Sequence, residues 1–338
     1  DSHSALLQLL SSPDITSKRY VFQQYDQQVQ TQTVRKAGDA DAATVFPSGS
    51  SKGFSVKVDG NSRWTRQHPR RGGQLAVVEA ARNVACTGAK PVAVTDGLNF
   101  GNPQQPHVYW QFAQAVEGIA EASEILETPV ISGNVSFYNE SELGEIPPTP
   151  IIGMLGILDD AADAIGMSPK VGETLVLLST HDSYSAQVGL GASSFLNVLH
   201  GIEDGYPEAP NLEAEKNLCA LLHELAKRRI ISSAHDVSDG GIAVSLAEMI
   251  ISSNHGMSVS LKSETDLFAE LPGNVIVGTT TVDSLREIAS EFNIQSRVIG
   301  KVEQMAHLSI NVDQKSIDWT SEELNLAFEG TFERLLNS

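Results

Sequence analysis

Four short stretches hold most of the residues that could do chemistry. They are VDGNSRW (Asp59, Asn61, Arg63), VTDGLNFGN (Asp96, Asn99, Asn102), SGNVS (Gly133, Asn134, Ser136) and AHDVSDGG (His235, Asp236, Asp239, Gly240, Gly241). Carboxylate and amide oxygens suit a hard divalent cation such as Mg²⁺, which takes a few protein oxygens beside phosphate oxygens and water. Glycine lets a backbone N–H approach a phosphate closely. Together they point to a nucleotide held with Mg²⁺, and away from zinc or a thiol nucleophile. Each stretch taken alone also reads as a plain turn, because Asp and Asn cap their own backbone.

Other features carry two readings each. His235 and Asp236 are adjacent, so their side chains point apart, and His235 reads as a structural residue rather than half of a dyad. Arg63, Arg66, Arg70 and Arg71 could hold a phosphate or could balance neighbouring acids. GLGASS, residues 189–194, could open a helix onto an anion. Neither a Walker A motif nor GxGxxG is present. His223-Glu224 begins like HExxH, but Lys227 fills the second ligand position.

These stretches follow apolar runs, so strands must deliver them. FSVKVDGN alternates as a strand does. Gly72-Gly73 precedes a helix with Leu75, Val78, Ala81 and Ala85 on one face. PVAVTD reads as a buried strand ending in a Gly/Asn/Pro loop, and TPVI as a strand entering the turn SGN. Between them Val108, Phe112, Ala115, Ile119, Ala122 and Leu126 recur at steps of three and four, the stripe of a core-facing helix. IIGMLGILDD, TLVLLS, NVIVGTT and SRVIGKV are further strands, and a C-terminal helix closes the chain. The expected class is α/β (α+β) with two domains: an arm or linker over 1–40, one α/β domain over 41–160 and a second over 161–338.

At 338 residues, 41% hydrophobic and 19% charged, the chain is globular and long enough for two cores. A net charge of −19 disfavours nucleic acid and anionic membranes as partners. No apolar run is long enough to span a bilayer. Cys86 and Cys219 are the only cysteines, which suggests a reducing compartment and hence the cytoplasm. The first residue is Asp1, consistent with a processed N-terminus or a piece of a longer chain.

VTDGLNFGNPQQP, WQFAQAVEGIAEAS, TPVISGNVSFYNE, IPPTPIIGMLG and AHDVSDGGIAVSLAE, in that order, closely resemble the synthetase-subunit family of phosphoribosylformylglycinamidine synthase (PurL). YDQQVQTQTV and DGNSRW resemble it too. The family belongs with aminoimidazole ribonucleotide synthetase, thiamine-monophosphate kinase, selenophosphate synthetase and HypE. Its full chain has two pseudo-twofold halves, each an α/β domain pair whose N-terminal sheet pairs with the other half. The resemblance is to the second half only. The first half, with a WSEHCSYK-like motif and the catalytic histidine, has no counterpart here, so no catalytic residue is expected in this chain.

The resemblance implies an ATP-dependent amidation of formylglycinamide ribonucleotide in purine biosynthesis, with Mg²⁺ on the phosphates. It implies ATP contacts at Asp96 and Gly133, a Mg²⁺ ligand at Asn134 and a substrate contact at Ser136. Ser132 replaces the first glycine of the family's GGNVS. LFAELPG stands where the family has a GESQGR-like stretch and keeps only Glu270, and GASS stands for GGSE. Implied partners are the first half, the glutaminase PurQ and the small subunit PurS, with a homodimer of this unit as a further possibility. The degenerate stretches favour an alternative, a non-catalytic nucleotide-binding or scaffolding half.

Overall fold

The computed structural model describes residues 1–181, 189–313 and 315–337. The first part of the chain contains α1 (Ser2–Leu10), α2 (Arg19–Phe22), β1 (Thr33–Arg35), β2 (Ala43–Val45), β3 (Gly53–Asp59), α3 (Ser62–Gln67) and α4 (Pro69–Ala85). It continues with β4 (Lys90–Asn99), α5 (Pro106–Ile125), β5 (Val130–Ser136), the hairpin β6 (Glu140–Ser141) and β7 (Gly144–Glu145), and β8 (Thr149–Leu158). The second part contains β9 (Thr174–Ser179), α6 (Ser194–His200), α7 (Leu212–Lys227), β10 (Ser233–Asp236), α8 (Gly241–Ser253) and β11 (Gly256–Leu261). It ends with β12 (Asn274–Thr279), α9 (Val282–Glu291), β13 (Gln295–Glu303), β14 (His307–Val312), β15 (Lys315–Thr320), α10 (Ser321–Glu329) and α11 (Thr331–Asn337).

Both sheets are mixed. The first runs β1-β2-β3-β8-β4-β5, antiparallel except for the last pair. The second runs β10-β12-β9-β13-β11-β14-β15, with only β11 and β14 parallel. Helix α4 lies against β3, β8 and β4 on one face of the first sheet, and α5 packs on α4. The expected α5 stripe is the buried one: Val108, Ala115, Ile119, Ala122 and Leu126 are all within the core, with Phe112 packed against it.

Two expectations need correction. Gly72 and Gly73 lie inside α4, not ahead of it, because Pro69 occupies its first turn. A Cβ on Gly73 would sit 2.3 Å from the Ala115 carbonyl oxygen, and one on Gly118 would sit 2.0 Å from that of Arg70. The glycines are there to let α4 and α5 touch backbone to backbone. The stretch 1–40 is also no free arm. Leu6, Leu9 and Leu10 of α1 are fully buried in the second unit's core, each worth about 1.5–3 kcal/mol of transfer free energy. The Trp319 indole N–H donates to the His3 carbonyl at 3.0 Å, fastening α1 to β15. β1 lies at the edge of the first sheet.

Buried charges join the two units. Arg82 of α4 donates from Nε to Asp236 Oδ1 of β10 at 2.8 Å and from Nη1 to Glu215 Oε1 of α7 at 2.9 Å, all three side chains being at most 2% exposed. A second latch lies beside it. His235 Nδ1 meets Asp41 Oδ1 at 2.6 Å, His235 Nε2 meets Glu248 Oε2 of α8 at 3.0 Å, and Asp41 Oδ2 accepts the Asp236 N–H at 2.7 Å. Both ring nitrogens are therefore engaged, as a structural histidine requires.

Removing the Arg82 side chain strands two carboxylates in the core. Arg82→Ala is expected to lower unfolding free energy by about 3–5 kcal/mol, read from the urea midpoint. For His235, burial opposes the charge, but Asp41 and Glu248 outweigh it and lift the imidazole well above its ordinary 6.5. A raised folded value means that this stabilisation is complete below pH 6.5 and fades as pH rises through the raised value. Asp41 has the opposite sign. Burial again opposes ionisation, His235 outweighs it, and its share is lost only as pH falls below the ordinary 3.8. Urea midpoints should therefore decline on the alkaline side for the native chain, and His235→Gln should flatten that decline.

Candidate functional site

The parallel pair β4–β5 brings the four expected ligand residues together. Register places Asp96 opposite Gly133, Gly97 opposite Asn134 and Asn99 opposite Ser136. The expectation of loops is corrected here. Asp96 and Asn99 lie within β4, and SGN is not a turn but the middle of β5. Pairing that continues to the Asn99–Ser136 rung holds both strands extended. Asn139 then closes the end, donating from Nδ2 to the carbonyls of Phe100 at 3.0 Å and Ser136 at 2.9 Å.

The four residues do not share one face. Successive strand residues point to opposite sides of a sheet. Asp96 and Gly133 lie on the helix side, in a row with Asp59 and the fully buried Ile152. Asn134 and Ser136 lie on the helix-free side with Ser132, whose hydroxyl meets that of Thr95 at 2.7 Å. Because β5 is the edge strand, its residues from Val130 to Val135 are exposed. A ligand can reach both sides only by bridging that edge or by placing different groups on each face.

Gly133 has a reason to be glycine before any ligand is considered. A Cβ there would lie 1.9 Å from Asp96 Oδ1. The Asp96 carboxylate thus fills the space over Gly133, and burial alone raises its pKa. Among the described residues no hydrogen bond or ion pair reaches it, and none reaches the Asn134 amide. Both are unengaged oxygen donors on neighbouring strands. Lying on opposite faces, each offers a cation a single protein oxygen, which suits a Mg²⁺ held largely by phosphate oxygens and water, not an all-protein cage. No group of three or more His, Cys, Asp or Glu among the described residues is placed to hold a metal.

The other two stretches meet each other. Asn61 Nδ2 donates to Asp239 Oδ1 at 3.2 Å, and Asn83 Nδ2 donates to Asp59 Oδ2 at 2.7 Å. Glu79 stands among them, pushed well above the carboxylate range first by burial and then by Asp59, Asp236 and Asp239. Burial likewise raises Asp59 and Asp239. Lys57 beside this group is held protonated against its burial, chiefly by Asp59 and Asp41. Glu79, Asn83, Lys57 and Asp41 are absent from the sequence-based site. The available signal was the four-residue spacing of Glu79 and Asn83, which sets both on one face of α4.

The remaining candidates resolve as internal pairings. Arg66 meets Glu203 at 2.8 Å and Arg70 meets Glu121, so these two arginines balance acids. Arg63 donates to the Ala192 carbonyl at 2.8 Å and the Ser194 hydroxyl at 2.9 Å, 3.6 Å from Asp239. The helix start at Ser194 opens onto an internal carboxyl group, Glu270, rather than onto a bound anion. Its Oε1 accepts the Ser194 N–H at 2.8 Å and the Gly240 N–H at 2.7 Å, and burial lifts its pKa to about 8. Cys86 and Cys219 are buried and free, their thiols driven upward by burial, so neither is a nucleophile.

The Asp96–Gly133 contact predicts a coupled pair. Gly133→Ala should cost about 1–3 kcal/mol by overpacking, and adding Asp96→Ala should recover most of it. Additive costs in a urea-melt double-mutant cycle would show that Gly133 is needed for something other than room for Asp96.

Residues 39–158 match the family of the AIR synthase related protein, N-terminal domain, and residues 170–313 match that of its C-terminal domain. The chain is 45% identical over 320 residues to phosphoribosylformylglycinamidine synthase subunit PurL of Chlorobaculum tepidum, covering 89% of this chain and 42% of that protein. It is 41% identical over 357 residues to the same subunit of Chlorobium luteolum, covering all of this chain and 46% of that one. Among solved structures, Thermotoga maritima PurL complexed with ATP aligns with a TM-score of 0.74 at 16% identity, over 97% of this chain and 52% of that chain. A HypE–HypF complex aligns with a TM-score of 0.58 at 17% identity, over 83% of this chain and 92% of that chain. At such identities the structural likeness is one of fold. The chain belongs to the AIR synthase related family, carries both of its domains, and is homologous to PurL over a little under half of that protein's length.

Proposed function

We propose that this chain supplies one half of the site that amidates formylglycinamide ribonucleotide at the expense of ATP in purine biosynthesis, in the cytoplasm. The observation that carries this reading is the set of unengaged donors on β4 and β5: Asp96, Asn134 and the exposed backbone around Gly133. Its support from relatives is that the curated homologues are named phosphoribosylformylglycinamidine synthase subunit PurL, and that solved PurL structures carry ATP and FGAR.

In this reading Asp96 and the Gly133 backbone hold ATP from the helix side, its triphosphate bridges the exposed β5 edge to the open side, and Ser136 orients the ribonucleotide there. Asn134 would hold Mg²⁺, which neutralises phosphate charge when bound. The substrate's amide oxygen attacks the γ-phosphorus, ADP leaves, ammonia adds to the activated carbon, and phosphate departs. The chain's own part is positioning, which holds reacting groups in line. The catalytic histidine would come from the other half, seated on the helix-free face of the first sheet. That face exposes Val56, Val58, Ile151 and Ile157, apolar side chains that suit burial against a partner. Without the other half, a second copy of this chain could cover the same face. A glutaminase and a small subunit, as in the PurLQS structure from Thermotoga maritima, would deliver the ammonia.

A second reading is a nucleotide-holding half with a docking role. It is favoured by a cavity of about 680 Å³ between the units, lined by Lys18, Lys57, Asn83, His235 and Asp236. Two measurements separate the readings. Turnover with ATP, formylglycinamide ribonucleotide and ammonia should be absent from the chain alone and restored by a first half. Robust turnover by the chain alone would sink the claim of incompleteness. In calorimetry, Mg-ATP binding that survives Asp96→Ala would favour the docking role.

A further inference from the structure

Directly beyond the site strand stands a residue in an unfavourable backbone conformation. Tyr138 has φ +59°, in the left-handed region where a bulky L side chain is strained. Most other non-glycine residues with positive φ among those described have an evident local reason. Glu127, Arg229, Asn254 and Asn293 end the helices α5, α7, α8 and α9, where left-handed caps are routine. Asp313 turns the β14–β15 hairpin. Tyr138 is the one aromatic in the set and sits at no helix end. Glycine or asparagine would make the same reversal at lower cost, and an asparagine is the very next residue.

The surroundings hold this conformation in place. The Tyr138 N–H donates to the Gly101 carbonyl at 2.9 Å, and the Asn139 N–H to that of Phe100 at 3.3 Å. Phe137 turns inward, its ring centroid 5.0 Å from that of Phe112, which lies 5.4 Å from Phe100. With Phe137 anchored, the left-handed residue sends the next ring outward. Tyr138 is 59% exposed, and among the described residues its ring and hydroxyl have no partner. The result is a rigid, bare aromatic face beside the β4–β5 strand ends, two residues past Ser136.

We propose that Tyr138 is a base-stacking residue of the nucleotide site, held strained so that its ring meets the planar heteroaromatic base of a nucleoside triphosphate. This rests on the nucleotide reading above. Strain that persists in a tyrosine whose ring and hydroxyl have no internal contact is accounted for by a ligand that uses the ring. Stacking requires only the π face, so the hydroxyl is dispensable.

The test is titration of Mg-ATP, and separately of Mg-tripolyphosphate, into this chain and into this chain combined with a first half. Tyr138→Ala should weaken ATP binding roughly tenfold, Tyr138→Phe should leave it unchanged, and neither should alter tripolyphosphate binding. Tyr138→Asn, which suits the left-handed conformation, should weaken ATP equally while keeping Tm at or above that of the native chain. ATP binding that Asp96→Ala abolishes but Tyr138→Ala leaves intact overturns the stacking role alone. So does equal weakening of ATP and tripolyphosphate, or a fall in Tm for Tyr138→Asn with ATP binding unchanged. No Mg-ATP binding in either format overturns the nucleotide reading and this role with it.

Discussion

A buried guanidinium ties the two units together at the centre of their shared core. Arg82 leaves α4, crosses the seam and is buried between Asp236 and Glu215. A buried ion pair is no guarantee of net stability, since desolvation offsets much of the attraction. What it enforces is register: any arrangement that separates the three leaves bare charge in the core. α4 is thereby locked to β10 and α7. The same helix contacts α5 through Gly73 and Gly118, and it carries Glu79 and Asn83 toward Asp59. The helix α4 that lies against β3, β8 and β4 is therefore positioned in part by a contact to the other unit.

β5, by contrast, is an edge strand exposed on both faces. An edge strand with both faces open is ordinarily a hazard, because its free backbone groups recruit further strands. Here β5 is pinned by its parallel pairing to β4 and by Asn139 at its end. Its exposure makes the Gly133 backbone and the Asn134 amide reachable. The cost is that nothing within the first sheet encloses a ligand there. In the proposed role, enclosure comes from what seats on the open face, beside the exposed Val56 and Val58.

Periodicity made the core legible and tertiary contact hid the rest. The α5 stripe could be read from spacing alone because its six positions face one layer. The start of α4 could not, since Gly72 and Gly73 read as breakers until α5 is known to press on them. SGN read as a turn because Ser, Gly and Asn favour turns locally, and only pairing to β4 keeps them extended. Asp96, Gly133, Asn134 and Ser136 are singled out by motif resemblance alone, and their division between two faces follows from strand alternation once β5 is known to extend through Ser136. Glu79 was invisible for a different reason. Its role depends on Asp59, Asp236 and Asp239, distant in sequence and brought together by the fold. Glu270 stands out in the sequence only as the letter LFAELPG shares with the family motif; its partners, two helix-start N–H groups, are not legible in letters.

Charge sets what β4 and β5 can do unaided. Burial alone perturbs Asp96, with no cation contributing. The arginines nearest the acidic stretches are committed to Asp236, Asp239, Glu203 and Glu121, and the helix starts at Ser194 and Gly240 are committed to Glu270. A polyphosphate arriving at β4–β5 would meet oxygen donors and backbone, not positive charge. Those groups can orient a phosphate but cannot neutralise it, and phosphoryl transfer depends on neutralisation of the developing charge. The cationic part of such a site must therefore arrive with the nucleotide as Mg²⁺, or from a surface that closes over the open face.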